Sequence, residues 1–371
     1  MKKRVAVLGA TGSIGKSALD VIACEKNNFD VVLLSAHSHA RELAELGRLW
    51  PGAATVLSGA AGGRESLLAA IAHSGADITL NGISGAAGLE PSMAAIEAGS
   101  DLALANKETL VMAGRLALRR AQEKKVSIIP VDSEHSAIFH LIEAQCAAHG
   151  NNEVEEIILT ASGGPFRNCS AEEMEKVSPQ AALAHPTWNM GAKITIDSAS
   201  MANKGLEVIE AVQLFGFPPE KIKVVIHPQS IVHSMIRMKD GAVYAQLSRP
   251  DMRLPIHKAL CRRETTASAF GRLEFNPLTL EFYPPDTDKF PLLSLAYEAA
   301  EKGGLYPCAY NAANEAAVAA FLAGRIGFLD IGRITRYVLG MDWSQEGADI
   351  ALILEADRRA REAAEKELQC Y

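Results

Sequence analysis

The start of the chain constrains its fold most. Val5-Ala6-Val7-Leu8 is a short apolar run of strand character, and it passes through Gly9-Ala10-Thr11-Gly12-Ser13-Ile14-Gly15 into a helical pattern over 16–23. Glycines in the order G-x-x-G-x-x-G, between a strand and a helix, let the backbone approach a pyrophosphate, which then rests on the N–H groups of the helix N-terminus. Further βα units follow, with strands expected at 30–34, 52–57, 77–80, 102–104 and 126–129 and helices over 65–72, over 91–98 and from 105 onward. Such nearly uninterrupted alternation predicts an α/β fold that opens with a Rossmann-like, doubly wound parallel sheet closing near residue 131.

The second strand bears on which dinucleotide is bound. A site specific for NAD places an acidic residue at this strand's end to bind the ribose 2′-hydroxyl. Here the residues are Ser35-Ala36-His37-Ser38-His39-Ala40-Arg41, with no carboxylate. That favours NADP, because a carboxylate would repel its 2′-phosphate. His37 and His39 read equally well as ordinary surface residues. Downstream, the small residues of 81–88 suit backbone passing close to a cofactor. Lys107 stands at a strand's carboxyl end, where it would reach a substrate or nicotinamide; by itself it also reads as a solvated lysine.

The chemistry centres on Pro130-Val131-Asp132-Ser133-Glu134-His135, where the strand at 126–129 gives way to a helix over 135–148. Ligands bind at such carboxyl ends in open α/β sheets. A third carboxylate, Glu207, lies in Asn203-Lys204-Gly205-Leu206-Glu207. Three clustered carboxylates repel one another unless a positive charge lies between them, and oxygen-only ligation suits a hard divalent cation such as Mg2+ or Mn2+. On local residues alone, Asp132 as a helix cap and Glu134 as first-turn decoration stay equally open.

The middle of the chain is less regular. A strand over 157–160 ends in Ser162-Gly163-Gly164-Pro165-Phe166, which offers a hydroxyl and backbone N–H groups to an anion. His185-Pro186-Thr187-Trp188-Asn189-Met190-Gly191 reads as a lid, or Trp188 as a core anchor. A strand is expected over 193–196, followed by Ser198, Asn203 and Lys204, a hydroxyl, an amide and an ammonium that suit a phosphate. A helix over 206–215 would carry Glu207 in its first turn. Strands over 221–226, 230–238 and 242–247 follow, the last two joined by an Asp240-Gly241 hairpin turn, and they offer pairing across a dimer interface. His233 has no assigned role on local grounds. The stretch 267–290 reads as a connecting segment, and helices follow over 292–302, 314–323, 331–339 and 347–367, the second capped by Asn311-Ala312-Ala313-Asn314-Glu315. The expected domains are therefore 1–131, a central α/β catalytic domain at 132–265, a connector at 266–290 and a C-terminal α-helical bundle at 291–371.

Bulk properties exclude several classes. The 371 residues carry a net charge of −7 with no block of like charge, so neither nucleic acid nor a membrane surface is an expected partner. No run approaches the roughly 18 apolar residues of a membrane span. Six scattered cysteines without a C-x-x-C pair point to a reduced, cytoplasmic protein.

Taken together these residues resemble the 1-deoxy-D-xylulose 5-phosphate reductoisomerase family nearly end to end. The resemblance rests on the 9–15 turn, Ala105-Asn106-Lys107-Glu108, Pro130 to His135, Ser162 to Phe166, His185-Pro186-Thr187-Trp188, Asn203 to Glu207 and His227-Pro228-Gln229-Ser230, in the family's order. It implies NADPH, a divalent metal (Mg2+, Mn2+ or Co2+), a sugar-phosphate substrate and a homodimer. It implies metal ligation by Asp132, Glu134 and Glu207, with Lys107 and these three as the catalytic set. Lys107, Ser133 and Glu134 would contact the substrate's oxygenated carbons. Ser162, Ser198, Asn203 and Lys204 would hold its phosphate, the segment around His185, Trp188 and Met190 would be a mobile lid, and His233 would line the pocket, with Glu207 also reaching the substrate. Cofactor contacts would come from Thr11, Gly12, Ser13, Ile14, His37, Ser38, His39, Asn106, Glu108, Met190 and Gly191. The implied reaction is a metal-dependent rearrangement, by retro-aldol cleavage and re-addition or by an α-ketol shift, then hydride reduction to 2-C-methyl-D-erythritol 4-phosphate in the non-mevalonate route to isoprenoids. The chain departs from the family at His37-Ser38-His39, where some members have Gly-Lys-Asn or Gly-Ser-Asn. Two other readings compete: a phosphate-activated semialdehyde dehydrogenase, which needs an activated cysteine, and a non-catalytic dinucleotide sensor, which needs no carboxylate cluster.

Overall fold

The computed structural model describes residues 2–149, 153–184, 188, 190–262 and 270–370. The chain divides into two compact units. The first comprises Met1–Thr109, Ala117–Ser136 and Asp251–Arg272; the second comprises Leu110–Leu116, Ala137–Pro250 and Leu273–Tyr371.

The chain begins β1 (Lys3–Leu8), α1 (Ser13–Cys24), β2 (Phe29–Ala36), α2 (Ala40–Leu49), β3 (Ala54–Leu57), α3 (Gly63–His73), β4 (Ile78–Asn81), α4 (Leu89–Glu97), β5 (Asp101–Leu104), α5 (Lys107–Lys124) and β6 (Ile128–Pro130). The six strands form one sheet in the order β3-β2-β1-β4-β5-β6. Every pairing in it is parallel, so the strand order reverses between β1 and β4. This is the Rossmann-like sheet expected from the β/α alternation. Its central strands read as continuous apolar runs because both faces are covered. Val5, Val7, Ile78, Leu80, Ala103 and Ile129 join Val21 and Ile22 of α1 in one core.

The chain continues with α6 (Ser133–His149), β7 (Val154–Ala161), α7 (Ala171–Met174), α8 (Pro179–Ala182), α9 (Ala192–Ala199), α10 (Ala202–Phe215), β8 (Ile222–Ile226), β9 (Val232–Met238), β10 (Val243–Leu247) and α11 (Arg253–Cys261). The second unit holds a four-stranded sheet in the order β10-β9-β7-β8. In it β7 pairs parallel with β8, while β9 runs antiparallel to both β7 and β10. The hairpin turns where expected, with Gly241 at φ +89°. Helix α11, inside the 132–265 segment of the sequence reading, is part of the first unit, where Ile256, Ala259 and Leu260 join the core of the parallel sheet. The last helices are α12 (Pro291–Lys302), α13 (Tyr306–Leu322), α14 (Asp330–Leu339) and α15 (Ile350–Leu368), which form the C-terminal helical region.

Two sequence expectations are corrected. The strand expected over 193–196 is helix α9. Ile194, Thr195 and Ile196 favour strands by propensity, but a run of four residues is too short to fix a period, and tertiary anchoring decides. Lys193 Nζ lies 2.9 Å from Asp197 across one helical turn, and Asn314 Nδ2 donates to Asp197 at 2.8 Å. The cap expected at Asn311–Glu315 lies within α13, which begins at Tyr306, five residues before Asn311. Asparagine favours caps because its amide competes for the local backbone; here Asn311 donates instead to Glu315 and Asn314 to Asp197.

Candidate active site

In the first unit the glycine-rich turn is built by close backbone approach. Gly9 has φ +76°, and a Cβ there would lie 2.9 Å from the Gly82 carbonyl oxygen. A Cβ on Gly15 would lie 2.3 Å from the Gly9 oxygen, so α1 starts directly on the turn. Gly12 precedes α1, and no side chain caps the helix. Its first-turn N–H groups are thus left to solvent or to an anion. Thr11 is buried, Ser13 is exposed and Ile14 packs on Gly82.

His37, Ser38 and His39 follow β2 and are exposed. The His37 ring stands 3.4 Å from the Ser58 hydroxyl. Next to them, Glu42 is already matched by Lys16 at 2.8 Å and lies 3.7 Å from His39. The region therefore offers imidazoles and a hydroxyl, and its acidic group has cationic company, which fits a phosphorylated ribose.

A buried polar network fixes the loop after β4. Asn81 donates to the Gly88 carbonyl at 2.9 Å and to Ser92 at 2.7 Å, and accepts from the Ile83 N–H. Ser92 in turn meets Thr109 at 2.9 Å. The Asn106 carboxamide donates to the carbonyls of Ile83 and Gly85, both at 2.8 Å, and to Glu108 at 3.0 Å, while its oxygen accepts from Thr109. Gly88 gives the amide its room, since a Cβ there would sit 2.5 Å from Asn106 Cγ. Asn106 thus ties the loop to the start of α5, and Glu108 is held beside it. The sequence placed Asn106 and Glu108 at the cofactor; it did not reveal Asn81, Ser92 and Thr109, whose only signal is polarity within apolar runs.

One residue after Asn106, Lys107 is buried rather than solvated, and its ammonium donates to Asp132 at 2.7 Å. Asp132 also accepts from the Glu134 N–H at 3.2 Å and lies 3.3 Å from His135 Nδ1. Capping and ligation are therefore compatible roles, because Asp132 immediately precedes α6 and accepts from an N–H of its first turn. Burial alone would raise the Asp132 carboxyl, but the Lys107 ammonium and His135 outweigh it and hold it well below the usual carboxylate range. Ser133 donates to Glu134 at 2.6 Å. An ionised Asp132 beside Glu134 is an all-oxygen donor pair that fits a hard divalent ion. His135 was quoted within the motif but given no role; it braces Asp132 much as an outer partner holds a metal ligand.

In the second unit Glu207 is buried in α10, which begins at Ala202, four residues earlier than expected. Asn203 donates to Glu207 at 2.5 Å, and Lys204 forms an ion pair with it. Ser162 accepts from the Gly164 N–H at 3.3 Å, with Gly163 and Gly164 both left-handed. A Cβ on Gly164 would lie 2.9 Å from the Ser198 carbonyl oxygen, so the Ser162 loop rests on the end of α9. The structure thus brings Ser162, Ser198, Asn203, Lys204 and Glu207 onto neighbouring segments of one unit. His233 is buried, shares a hydrogen bond of 2.9 Å with Ser248, and its ring centroid lies 6.4 Å from that of Trp188. Ser248 was not legible in the sequence. Met190 is half-buried, and Gly191 is the exposed N-cap of α9. His185 lies outside the described residues, as do Pro186, Thr187 and Asn189.

Comparison with known proteins places this arrangement. The family model described as 1-deoxy-D-xylulose 5-phosphate reductoisomerase matches residues 5–60 and 53–114, and its C-terminal domain model matches 128–215. A further model, the DXP reductoisomerase C-terminal domain, matches 247–363. The chain is 48% identical over 371 residues to the 1-deoxy-D-xylulose 5-phosphate reductoisomerase of Treponema denticola, covering 98% of this chain and 96% of that one. It is 47% identical to that of Chlorobium chlorochromatii, covering 98% of both. A solved DOX-P reductoisomerase in complex with NADPH, fosmidomycin and magnesium superposes with a TM-score of 0.93 at 38% identity, over 99% of this chain and 98% of that one. The Zymomonas mobilis enzyme in complex with NADPH gives 0.90 at 41% identity over the whole of both chains. Fold and relatives therefore define an NADP-dependent oxidoreductase with a Rossmann-like parallel sheet and a second, four-stranded sheet. Within that class, the chain belongs to the 1-deoxy-D-xylulose 5-phosphate reductoisomerase family.

Proposed function

We infer that the chain performs the family's reaction, the metal-dependent rearrangement and NADPH reduction of 1-deoxy-D-xylulose 5-phosphate to 2-C-methyl-D-erythritol 4-phosphate, with the residues described above. The observation that carries the assignment of residues is the Asp132 carboxylate held by the Lys107 ammonium and His135 beside Glu134. Asp132, Glu134 and Glu207 are the carboxylates for Mg2+, Mn2+ or Co2+, which when bound acts as a Lewis acid on the substrate's carbonyl. NADPH supplies the hydride that reduces the rearranged aldehyde. Lys107 faces the reacting oxygens as a donor and compensates the charge of Asp132. Ser133 orients Glu134 and reaches the same oxygens. Ser162, Ser198, Asn203 and Lys204 hold the phosphate, far from the reacting carbons, so that its binding energy is available to order the site. His185, Trp188, Met190 and His233 cover the substrate and exclude water from a reactive intermediate.

The glycine turn, with Thr11, Gly12, Ser13 and Ile14, receives the pyrophosphate, and Asn106, Glu108 and Gly191 shape the rest of the cofactor's surroundings. His37, Ser38 and His39 receive the 2′-phosphate; the pairing of Glu42 with Lys16 supports this. The chain works as a homodimer, a reading supported by the exposed Val243 and Tyr244 of edge strand β10. It works in the cytoplasm, in keeping with six free thiols. No helix among the described residues is long and apolar enough to cross a membrane.

The test is oxidation of NADPH, followed by its absorbance, with 1-deoxy-D-xylulose 5-phosphate after chelator treatment. Oxidation restored by Mn2+ is the expected result. Chelator-resistant oxidation that depends on a cysteine would return the dehydrogenase reading, and NADPH binding without turnover would return the sensor.

A further inference from the structure

We propose that Tyr310 and Asn314, one helical turn apart on α13, are positioning residues for the substrate's phosphate, setting Ser198 on α9 against Asn203 and Lys204 on α10. The proposal rests on the reading that these residues hold the phosphate. Residues four apart share a helix face, and each of this pair meets a different phosphate-bearing segment. The Tyr310 hydroxyl lies 2.6 Å from where a Cβ of Gly205 would be, so it occupies the space a side chain there would need, next to Lys204. It is held by donating to the Leu292 carbonyl of α12 at 3.0 Å. Asn314 Nδ2 donates to Asp197 at 2.8 Å, and Asp197 immediately precedes Ser198.

Helix α9 needs that anchor. It has eight residues, no side-chain cap at its N-terminus and three consecutive β-branched residues, and a helix so short is marginal without tertiary support. Asp197 is 1% exposed, and a carboxylate so deeply buried is costly unless paired. Lys193 and Asn314 pair it. Releasing Asn314 would free α9 to turn about its axis, and the Ser198 hydroxyl would turn with it. The two segments meet at Met201, a non-glycine residue with φ +64°, a costly conformation that the helices packed around it must hold in place. Beyond Asn314 the polar contacts continue through Glu315 to Arg361 of α15 at 2.7 Å. The C-terminal bundle thereby sets the spacing of the phosphate grip and does more than cover it.

The experiment measures, on the full chain with metal and NADPH, the KM for the sugar phosphate and the calorimetric affinity for inorganic phosphate in Asn314→Ala. The expected result is a loss of about tenfold or more in both, with kcat within about threefold of the parent and NADPH affinity unchanged. Should Asn314→Ala fail to fold, Asn314→Ser, which keeps a small hydrogen-bonding group, takes its place with the same direction of change. Val318→Ala is the control: a buried truncation on the same helix that lowers Tm and leaves phosphate affinity intact. Unchanged phosphate affinity in Asn314→Ala, or an equal loss in Val318→Ala, overturns the proposal. Ser198→Ala separates it from the underlying reading. If Ser198→Ala binds phosphate normally, the reading itself is wrong and the proposal falls with it. If Ser198→Ala weakens phosphate while Asn314→Ala does not, only the role of α13 falls.

Discussion

The two units present functional groups by different means. In the first, the ends of parallel strands do the positioning, and much of the recognition belongs to backbone: glycines at 9, 12 and 15, N–H groups at the start of α1, and a loop tied down by asparagine side chains. In the second, the groups proposed to bind substrate are side chains on helices, Ser198 on α9 and Asn203, Lys204 and Glu207 on α10, held by buried ion pairs within each helix and by an amide from α13. A backbone site tolerates changes of side chain but no added Cβ. A side-chain site depends on each charge keeping its partner. The difference predicts opposite sensitivities.

The largest effect should fall in the second unit. Glu207→Gln keeps the shape of the side chain and removes its charge, so turnover should drop by more than about 100-fold, the upper range for outer partners of a metal. Mn2+ affinity should weaken while NADPH affinity holds; normal values for both rate and Mn2+ affinity would remove Glu207 from the site. In the first unit, Gly15→Ala should cost roughly 1–3 kcal/mol of stability, because its Cβ would meet backbone at 2.3 Å and not a movable side chain. NADPH binding should weaken, and the affinity for inorganic phosphate should not. Parallel loss of both would mean that the two regions are not independent.

The smallest effect concerns Cys308 of α13. Burial, with Asp357 nearby, pushes its thiol far above the ordinary range. The folded state then keeps a proton that the unfolded state loses above about pH 8.5, so folding stability falls as pH rises beyond that point, by at most about 1.4 kcal/mol per pH unit. Cys308→Ala should flatten this slope. Cys24 and Cys370, both exposed, should react with a thiol reagent in the native state and Cys308 should not.

The same contrast governs how much could be read from the sequence. Strands buried on both faces leave uninterrupted apolar runs, and a glycine turn leaves its spacing, so the parallel sheet was legible, while its strand order was not. Asp132, Glu134 and Glu207 stand in the sequence as like charges, which is what suggests a counter-ion between them; the buried partners of Asp132, Lys107 and His135, were not legible as such. Lys193-Ile194-Thr195-Ile196 was not, because the contact that makes it helical comes from Asn314, more than a hundred residues away. Asn314 was misread for the complementary reason: nothing local tells a capping amide from one that reaches into the core. Polar residues such as Tyr310 and Asn314 within an alanine-rich helix are the one local sign of such a partner, and that sign does not say which segment they meet.

Gly164 has a consequence for how this protein can change over generations. It is left-handed at φ +66°, and a Cβ there would press on the Ser198 backbone. Two independent constraints thus close the position to every other residue type, and relief of one leaves the other in force. Sequence drift that alters the proposed grip on phosphate must therefore come from residues around this glycine. A competitive inhibitor that borrows the phosphate's seat would find few single-step escape routes at this point, because a substitution that displaced the inhibitor would displace the substrate as well.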